Sequence, residues 1–289
     1  MLIQLLMNSI IIGSVYGLMS QSFSLLYSTT PFFNMTHGSI SAIAGYIAYM
    51  FLHLLGWNII PSIFIALTVA AFFSFAFDRY IYMPLRQRGG SGMILLVASL
   101  GVYTMLEAII TILFNPQFKT LGKIDSSQVF NVFGAYISSV QLITVVVNLL
   151  VLFFFIFLLK KTLFGKLIRA ISNNKELAFI LGVRTDLFIG FVFGICGFVA
   201  AIAGVLAGFD TGLEPVMGFS MLFKGIIAAI IGGIGSVYGA FFGALFLGFI
   251  ENLGVMIFAS EWRDTIAFVL LIVFLYFKPQ GIFVRNNKL

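Results

Sequence analysis

The stretch KKTLFGKLIRAISNNKELAFILGVRTD, residues 160–186, decides how the rest of the chain is read, because it is polar and lies between two long apolar runs. It holds six of the sixteen basic residues: Lys160, Lys161, Lys166, Arg169, Lys175 and Arg184. Leu167, Ala170, Ile171, Ala178 and Leu181 are apolar, with charges and the Asn173-Asn174 pair between them. That spacing predicts a short amphipathic helix, and Gly182 supplies a stop, since glycine enters the left-handed conformation that ends helices. A solvated connector and a surface that touches something in the cytoplasm both fit the stretch taken alone.

Composition sets the class. Hydrophobic residues make up 61% of the 289 and charged residues 9%, against about 25% charged in a soluble domain. The chain therefore reads as an integral membrane protein. Its net charge of +6 is explained by placement and does not point to nucleic acid. Twelve of the sixteen basic residues fall in three segments: Arg79, Arg86 and Arg88; the six of 160–186; and Lys278, Arg285 and Lys288. Basic loops mark the cytoplasmic side. The lone Cys196 excludes an intrachain disulfide and suggests no metal site. No basic n-region precedes the first apolar run, which reads as a retained helix.

A window of about 20 apolar residues places spans near 3–26, 38–55, 59–82, 93–114, 141–159 and 187–209, then a compound stretch at 216–257 and a last span at 264–277. The loops at 84–92 and 160–186 share the sign of their charge. The fourth and fifth spans thus form a hairpin whose external connection, 115–140, carries only Lys119, Lys123 and Asp125 as charged residues. The C-terminal KPQGIFVRNNKL is inside, with Pro279 ending the last helix, which puts 28–37 inside and the N-terminus outside. The expected fold class is an all-α polytopic membrane protein of about eight transmembrane helices, discontinuous or re-entrant near 31–38 and 219–240, in one domain over 1–289.

Two stretches do not read as plain helices. Pro31, Asn34, Thr36, His37 and Gly38 crowd against the second span, either as an ordinary loop at the headgroups, which composition alone favours, or as polar backbone beside a path. At membrane depth such backbone needs protein or a watery cavity around it. Gly232, Gly233 and Gly235 with Ser236 split an apolar run into a tight hairpin. Gly235, Gly239 and Gly243 recur every four residues, as do Ala200, Gly204 and Gly208, a pattern that lets helices approach closely in lipid. Packing within the chain explains it better than a dimer motif.

Glu107 and Glu251 lie inside spans, where a charge is expensive and belongs in the bundle interior or on a watery path. Neither has an obvious buried basic partner in sequence, which leaves structural hydrogen bonding as the default role. No phosphate-binding loop, nucleophile elbow or His/Cys metal pattern occurs. The chain is expected to be no enzyme, to hold no cofactor or metal, and to meet lipid and not nucleic acid.

Several motifs carry a resemblance. Asn34-Met35-Thr36-His37-Gly38 is similar to the Asn-Phe-Ala-His-Gly segment of the branched-chain amino acid ABC transporter permeases. Arg169-Ala170, with Ala178 and Leu181-Gly182-Val183, resembles their cytoplasmic Arg-Ala…Leu-Gly segment. Residues 224–243 (KGIIAAIIGGIGSVYGAFFG) resemble their glycine-rich signature. Glu261-Trp262-Arg263-Asp264 with Lys278-Pro279-Gln280-Gly281 resembles their closing helix. The matches run in order over nearly the whole chain, and its length fits the shorter, H-type (LivH-like) branch. Ser39 and Arg184 depart from the pattern, where the family usually has an acid and often Asn.

The resemblance implies a permease subunit of an ATP-binding cassette importer in a bacterial or archaeal plasma membrane. It implies a second homologous permease, two cytoplasmic ATPase subunits and an extracytoplasmic solute-binding protein. Lys166, Arg169, Ala170, Ala178, Leu181 and Gly182 would belong to the ATPase-coupling loop. Asn34, Thr36, His37, Gly38 and Glu107 would flank the translocation path, and Gly232, Gly233, Gly235, Gly239 and Gly243 would pack helices. The solute would be a branched-chain amino acid or a similar small polar molecule. The competing expectation is an ion-coupled transporter that uses Glu107 and Glu251.

Overall fold

The computed structural model describes residues 2–122, 129–132 and 134–283. Lys123 and Asp125 of the connection expected to be external, and Arg285 and Lys288 of the tail, lie outside the described residues. The helices are α1 (Leu2–Thr29), α2 (Thr36–Tyr49), α3 (Ile59–Phe77), α4 (Met83–Gln87), α5 (Gly92–Phe114), α6 (Ser139–Lys161), α7 (Leu163–Asn173), α8 (Lys175–Ile180), α9 (Thr185–Asp210), α10 (Met217–Gly232), α11 (Val237–Ile257) and α12 (Arg263–Phe277). Six are long and apolar enough to cross a bilayer: α1, α3 continued through α4, α5, α6, α9 and α11. The all-α polytopic expectation holds.

Three features were not legible in the sequence. Wide π-helical turns at Met50–Leu54 and Asp78–Tyr82 continue α2 and α3. A small hairpin, β1 (Val129–Val132) and β2 (Ala135–Ser138), forms in the connection between α5 and α6 and pairs Val132 with Ala135. Gly134 takes φ 87° there, and its N–H donates to Asn131 Oδ1 at 2.9 Å. A left-handed glycine is what so tight a hairpin turn requires.

The chain divides into two compact units. The first comprises residues 1–24, 122–152 and 221–289, and the second 25–121 and 153–220.

In the second unit α2 is the central helix, buried nearly all round, with α3, α5 and α9 packed on it. Small residues allow this. A Cβ on Gly204 would overlap the backbone of Ser41, and one on Gly197 would overlap Ser74, whose hydroxyl donates to the Phe193 carbonyl at 2.7 Å. The small-residue stripe of α9 is therefore a seam within the chain, as expected. A Cβ on Gly45 of α2 would press on the Leu213 side chain. Beyond α5 and α9, Lys119 and Leu213 exchange backbone hydrogen bonds of 3.1 and 2.7 Å.

In the first unit the α10–α11 turn is built backbone on backbone. Gly233 and Gly235 take φ of 111° and 87°, and the Ser236 hydroxyl caps α11 by accepting from the Gly239 N–H at 3.1 Å. A Cβ on Gly232 or Gly239 would overlap the other's backbone, and one on Gly243 would overlap the Ala228 carbonyl. After α12 the chain returns to this turn. Ile282 and Phe283 donate to the carbonyls of Ile231 and Gly232 at 2.8 and 3.0 Å, which satisfies acceptors that a helix end leaves orphaned. With 16 residues, α10 is about 24 Å long, short of the roughly 30 Å of a hydrocarbon core. A short first arm fits the expected interruption.

Candidate functional site

The first candidate site is the break between α1 and α2, in the second unit. Its backbone and side-chain polar groups are supplied with partners from within the protein. Asn34 Oδ1 accepts the Thr36 N–H at 3.1 Å, which closes the turn into α2. Ser99 of α5 accepts the Met35 N–H on its hydroxyl at 3.0 Å, and its carbonyl accepts from Thr36 Oγ1 at 3.0 Å. The Tyr82 hydroxyl, in the π-helical turn, meets the Thr36 hydroxyl and lies 3.4 Å from Asn34 Oδ1.

Asn34, Thr36, His37 and Tyr82 are all buried. Protein encloses this polar backbone, the setting in which such backbone can lie within a membrane. Glu107 does not join it: it stands eight residues beyond Ser99 on α5, about 12 Å along the axis, beside Tyr103. Gly38 is where α10 begins to touch α2, because a Cβ on Gly218 would overlap the Gly38 carbonyl.

The second candidate is the segment 160–186, also in the second unit. It forms two short helices, not one, broken at Asn174, whose Oδ1 accepts the Leu177 N–H at 2.9 Å and caps α8. Thr162 caps α7 by accepting from Gly165 at 3.0 Å. A Cβ on Gly165 would overlap the backbone of Leu158 and Leu159, so α7 folds back closely on the end of α6. Ile168 and Ile171 point inward, while Lys166 and Ala170 are exposed and Arg169 half-buried. Gly182, at φ 88°, ends α8 with Val183 N–H donating to the Ala178 carbonyl at 3.1 Å and its own N–H to Phe179 at 2.9 Å. That is the two-bond glycine stop expected of this position.

Ala178, one of the residues the resemblance assigns to the coupling loop, is 3% exposed and packs into its own chain. The outward apolar side chains are Leu177, Phe179, Ile180 and Leu181, the last two 77% and 76% exposed. All five positions are apolar in sequence, so no periodicity tells the inward one from the rest.

The polar edge of the segment is tied inward. Asp186, in the first turn of α9, accepts from Lys175 Nζ on Oδ1 and from Gln87 Nε2 on Oδ2, each at 3.1 Å. Next to Gln87, Arg86 forms a 2.6 Å ion pair with the buried Asp78 at the start of the π-helical turn.

The first unit holds a separate charged cluster. Glu251 is fully buried on α11 and accepts from the Tyr16 hydroxyl at 2.8 Å. Lys224 Nζ lies 3.8 Å from it and Arg263 Nε 4.0 Å, while Lys224 also bonds Asp264 at 2.9 Å. Glu251 therefore does have basic partners, contrary to expectation. They come from α10 and α12, far from it in sequence. Gln21 and Asn148 form a further buried amide pair at 2.8 Å. Among the described residues, no group of His, Cys, Asp and Glu could hold a metal ion.

Comparison with known proteins agrees with this architecture. The family described as "Branched-chain amino acid transport system / permease component" matches residues 5–275. The high-affinity branched-chain amino acid transport system permease protein BraD of Pseudomonas aeruginosa is 31% identical, over 98% of this chain and 96% of its own length. The corresponding LivH of Escherichia coli K12 is 29% identical over the same shares. A probable branched-chain amino acid transport permease of Methanocaldococcus jannaschii is 26% identical, over 96% and 91%. The solved structure of PsaBC from Streptococcus pneumoniae in complex with Fab aligns with a TM-score of 0.53 at 17% identity, over 94% of this chain and 91% of that one, a likeness of fold alone. With a family match over most of its length and a relative above 30% identity across nearly both chains, this multi-pass inner-membrane protein belongs to the branched-chain amino acid transport system permease family.

Proposed function

We propose that the chain is one of two membrane subunits of an ATP-driven importer for leucine, isoleucine, valine or similar small polar solutes. It pairs with a second, homologous permease. Two cytoplasmic ATPase subunits dock on it and an extracytoplasmic binding protein delivers the solute. No covalent chemistry is assigned to this chain.

The observation that carries the reading, beside family membership, is the outward apolar face of α8. Leu177, Phe179, Ile180 and Leu181 project from a segment rich in lysine and arginine, between two spans. Apolar side chains at such exposure, flanked in the chain by Lys175, Glu176 and Arg184, are the mark of a surface that a partner covers. The ATPase is that partner, and α7–α8 is the coupling segment. The polar break at Asn34, Thr36, His37 and Gly38 is the part of this unit that stands beside the solute path.

The ion-coupled alternative draws less support. Glu251 stands in a cluster with Lys224 at 3.8 Å and Arg263 at 4.0 Å, an arrangement that also fits a structural role, and Glu107 sits half-buried on α5 with no basic partner among the described ion pairs. The test is to tag the chain in cells that make it and to measure two things: co-purifying ATPase, and uptake of labelled leucine, isoleucine, valine, short amides and urea with and without the chain. Co-purified ATPase and chain-dependent uptake of the branched-chain amino acids are expected. Uptake that survives ATP depletion but collapses with the proton gradient would overturn the reading.

A further inference from the structure

Resting on that reading, we infer that Asp186 is a positioning residue that transmits movement of the docked segment to the break before α2. Its two carboxylate oxygens are divided between two elements. Oδ1 takes Lys175, the first residue of α8, and Oδ2 takes Gln87, the last residue of α4, each at 3.1 Å. The acid itself belongs to α9, so one side chain joins three cytoplasmic elements.

The path continues without a gap. Gln87 follows Arg86, whose guanidinium is held at 2.6 Å by Asp78 at the first position of the π-helical turn. The last position of that turn is Tyr82, whose hydroxyl meets Thr36 and lies near Asn34 at the entry of α2. A π-helical turn is rare and is common at functional positions. Here it carries a polar contact at each end and has a regular α-helix as its alternative hydrogen-bonding pattern. We take this turn as the element with two arrangements that a transmission path needs.

A stabilising role alone does not account for the latch. Lys175 and Asp186 keep 41% and 27% of their side-chain surface exposed, and pairs of that exposure add little to stability. What the pair does fix is orientation. Among the residues of α8 only Ala178 is buried, so the helix is otherwise held by its caps. A push on Leu177, Ile180 and Leu181 reaches α9 and α4 through Lys175 and Asp186. Without the latch, α8 would pivot on Ala178.

The experiment uses the intact complex with its ATPase subunits and compares wild type, Asp186→Asn, Lys175→Gln and the exchanged pair Lys175→Asp/Asp186→Lys. Gln87 can serve the exchanged pair, because its amide accepts as well as donates. Hydrogen–deuterium exchange of residues 29–38 and 78–88 is followed with and without trapped ATP, together with ATPase co-purification. In wild type both segments should change exchange on ATP trapping. In Asp186→Asn and Lys175→Gln the change at 29–38 should fall at least threefold with the ATPase still bound, and the exchanged pair should restore it. An unaltered response in Asp186→Asn, loss of the ATPase in step with the response, or a wild type in which 29–38 ignores ATP would each overturn the inference. Absence of any ATPase from the wild-type complex would overturn the functional reading as well, and so marks the deeper failure.

Discussion

The α10–α11 turn and the α7–α8 segment are both short interruptions between apolar spans, yet they are built on opposite plans. At the turn, Gly232, Gly239 and Gly243 bring backbone against backbone, and the returning tail caps the remaining carbonyls. At α8 the chain keeps Ala178 for itself and turns Leu177, Ile180 and Leu181 outward. The first region is finished within its own unit, whereas the second has apolar surface left over. That leftover surface is where a partner's contribution to this protein can be read from one chain.

The contrast is broken most severely at the turn. Gly243→Leu and Gly239→Leu each drive a side chain into a carbonyl that cannot move aside, and should destabilise by at least about 3 kcal/mol, the upper part of the overpacking range. Folded yield in membranes and thermal melting in detergent measure this. Gly45→Leu meets the end of the flexible Leu213 side chain and should be milder, at about 1–2 kcal/mol. Equal damage at Gly239 and Gly45 would mean that backbone contact is not what makes the turn rigid.

Next in size is Lys224→Met, which takes one cation from the fully buried Glu251 and should cost about 3 kcal/mol, as breaking a buried pair does. Lys224→Met combined with Glu251→Met should recover part of that loss, because the second change removes the stranded charge. A double mutant as unstable as the sum of the singles would show that the cluster is not one coupled unit.

Smaller again is Ala178→Asp, which buries a carboxylate under α8. It should loosen the segment by about 1–3 kcal/mol, visible as faster amide exchange over 163–184. Leu181→Asp is an exposed change, expected within about 0.5 kcal/mol in stability, yet it should remove the ATPase. If Ala178→Asp leaves exchange over the segment unchanged, the inward placement of Ala178 is wrong.

How much of this was legible follows from the range of the forces involved. The spans, the stop at Gly182 and the break at Gly233 and Gly235 are set by local hydropathy and by the left-handed freedom of glycine, so sequence reveals them. Glu251 finds Lys224 and Arg263 only because α10, α11 and α12 pack together, and no local pattern announces that. Tyr82 and Ser99 likewise reach Asn34 and Thr36 from other elements. The π-helical turns have no spacing rule. The inward choice of Ala178 among five consecutive apolar residues was invisible for a simpler reason: an uninterrupted run carries no period.

The most direct measurement of the coupling face is cysteine labelling at Leu181→Cys in a Cys196→Ser background, in inside-out membrane vesicles, with an impermeant maleimide. Arg88→Cys, exposed just beyond α4 and outside the coupling segment, serves as the reference site. With the ATPase bound, Leu181→Cys should be protected while Arg88→Cys labels, and stripping the ATPase should raise labelling of Leu181→Cys at least fivefold. Labelling of Leu181→Cys that is the same with and without the ATPase would contradict the account.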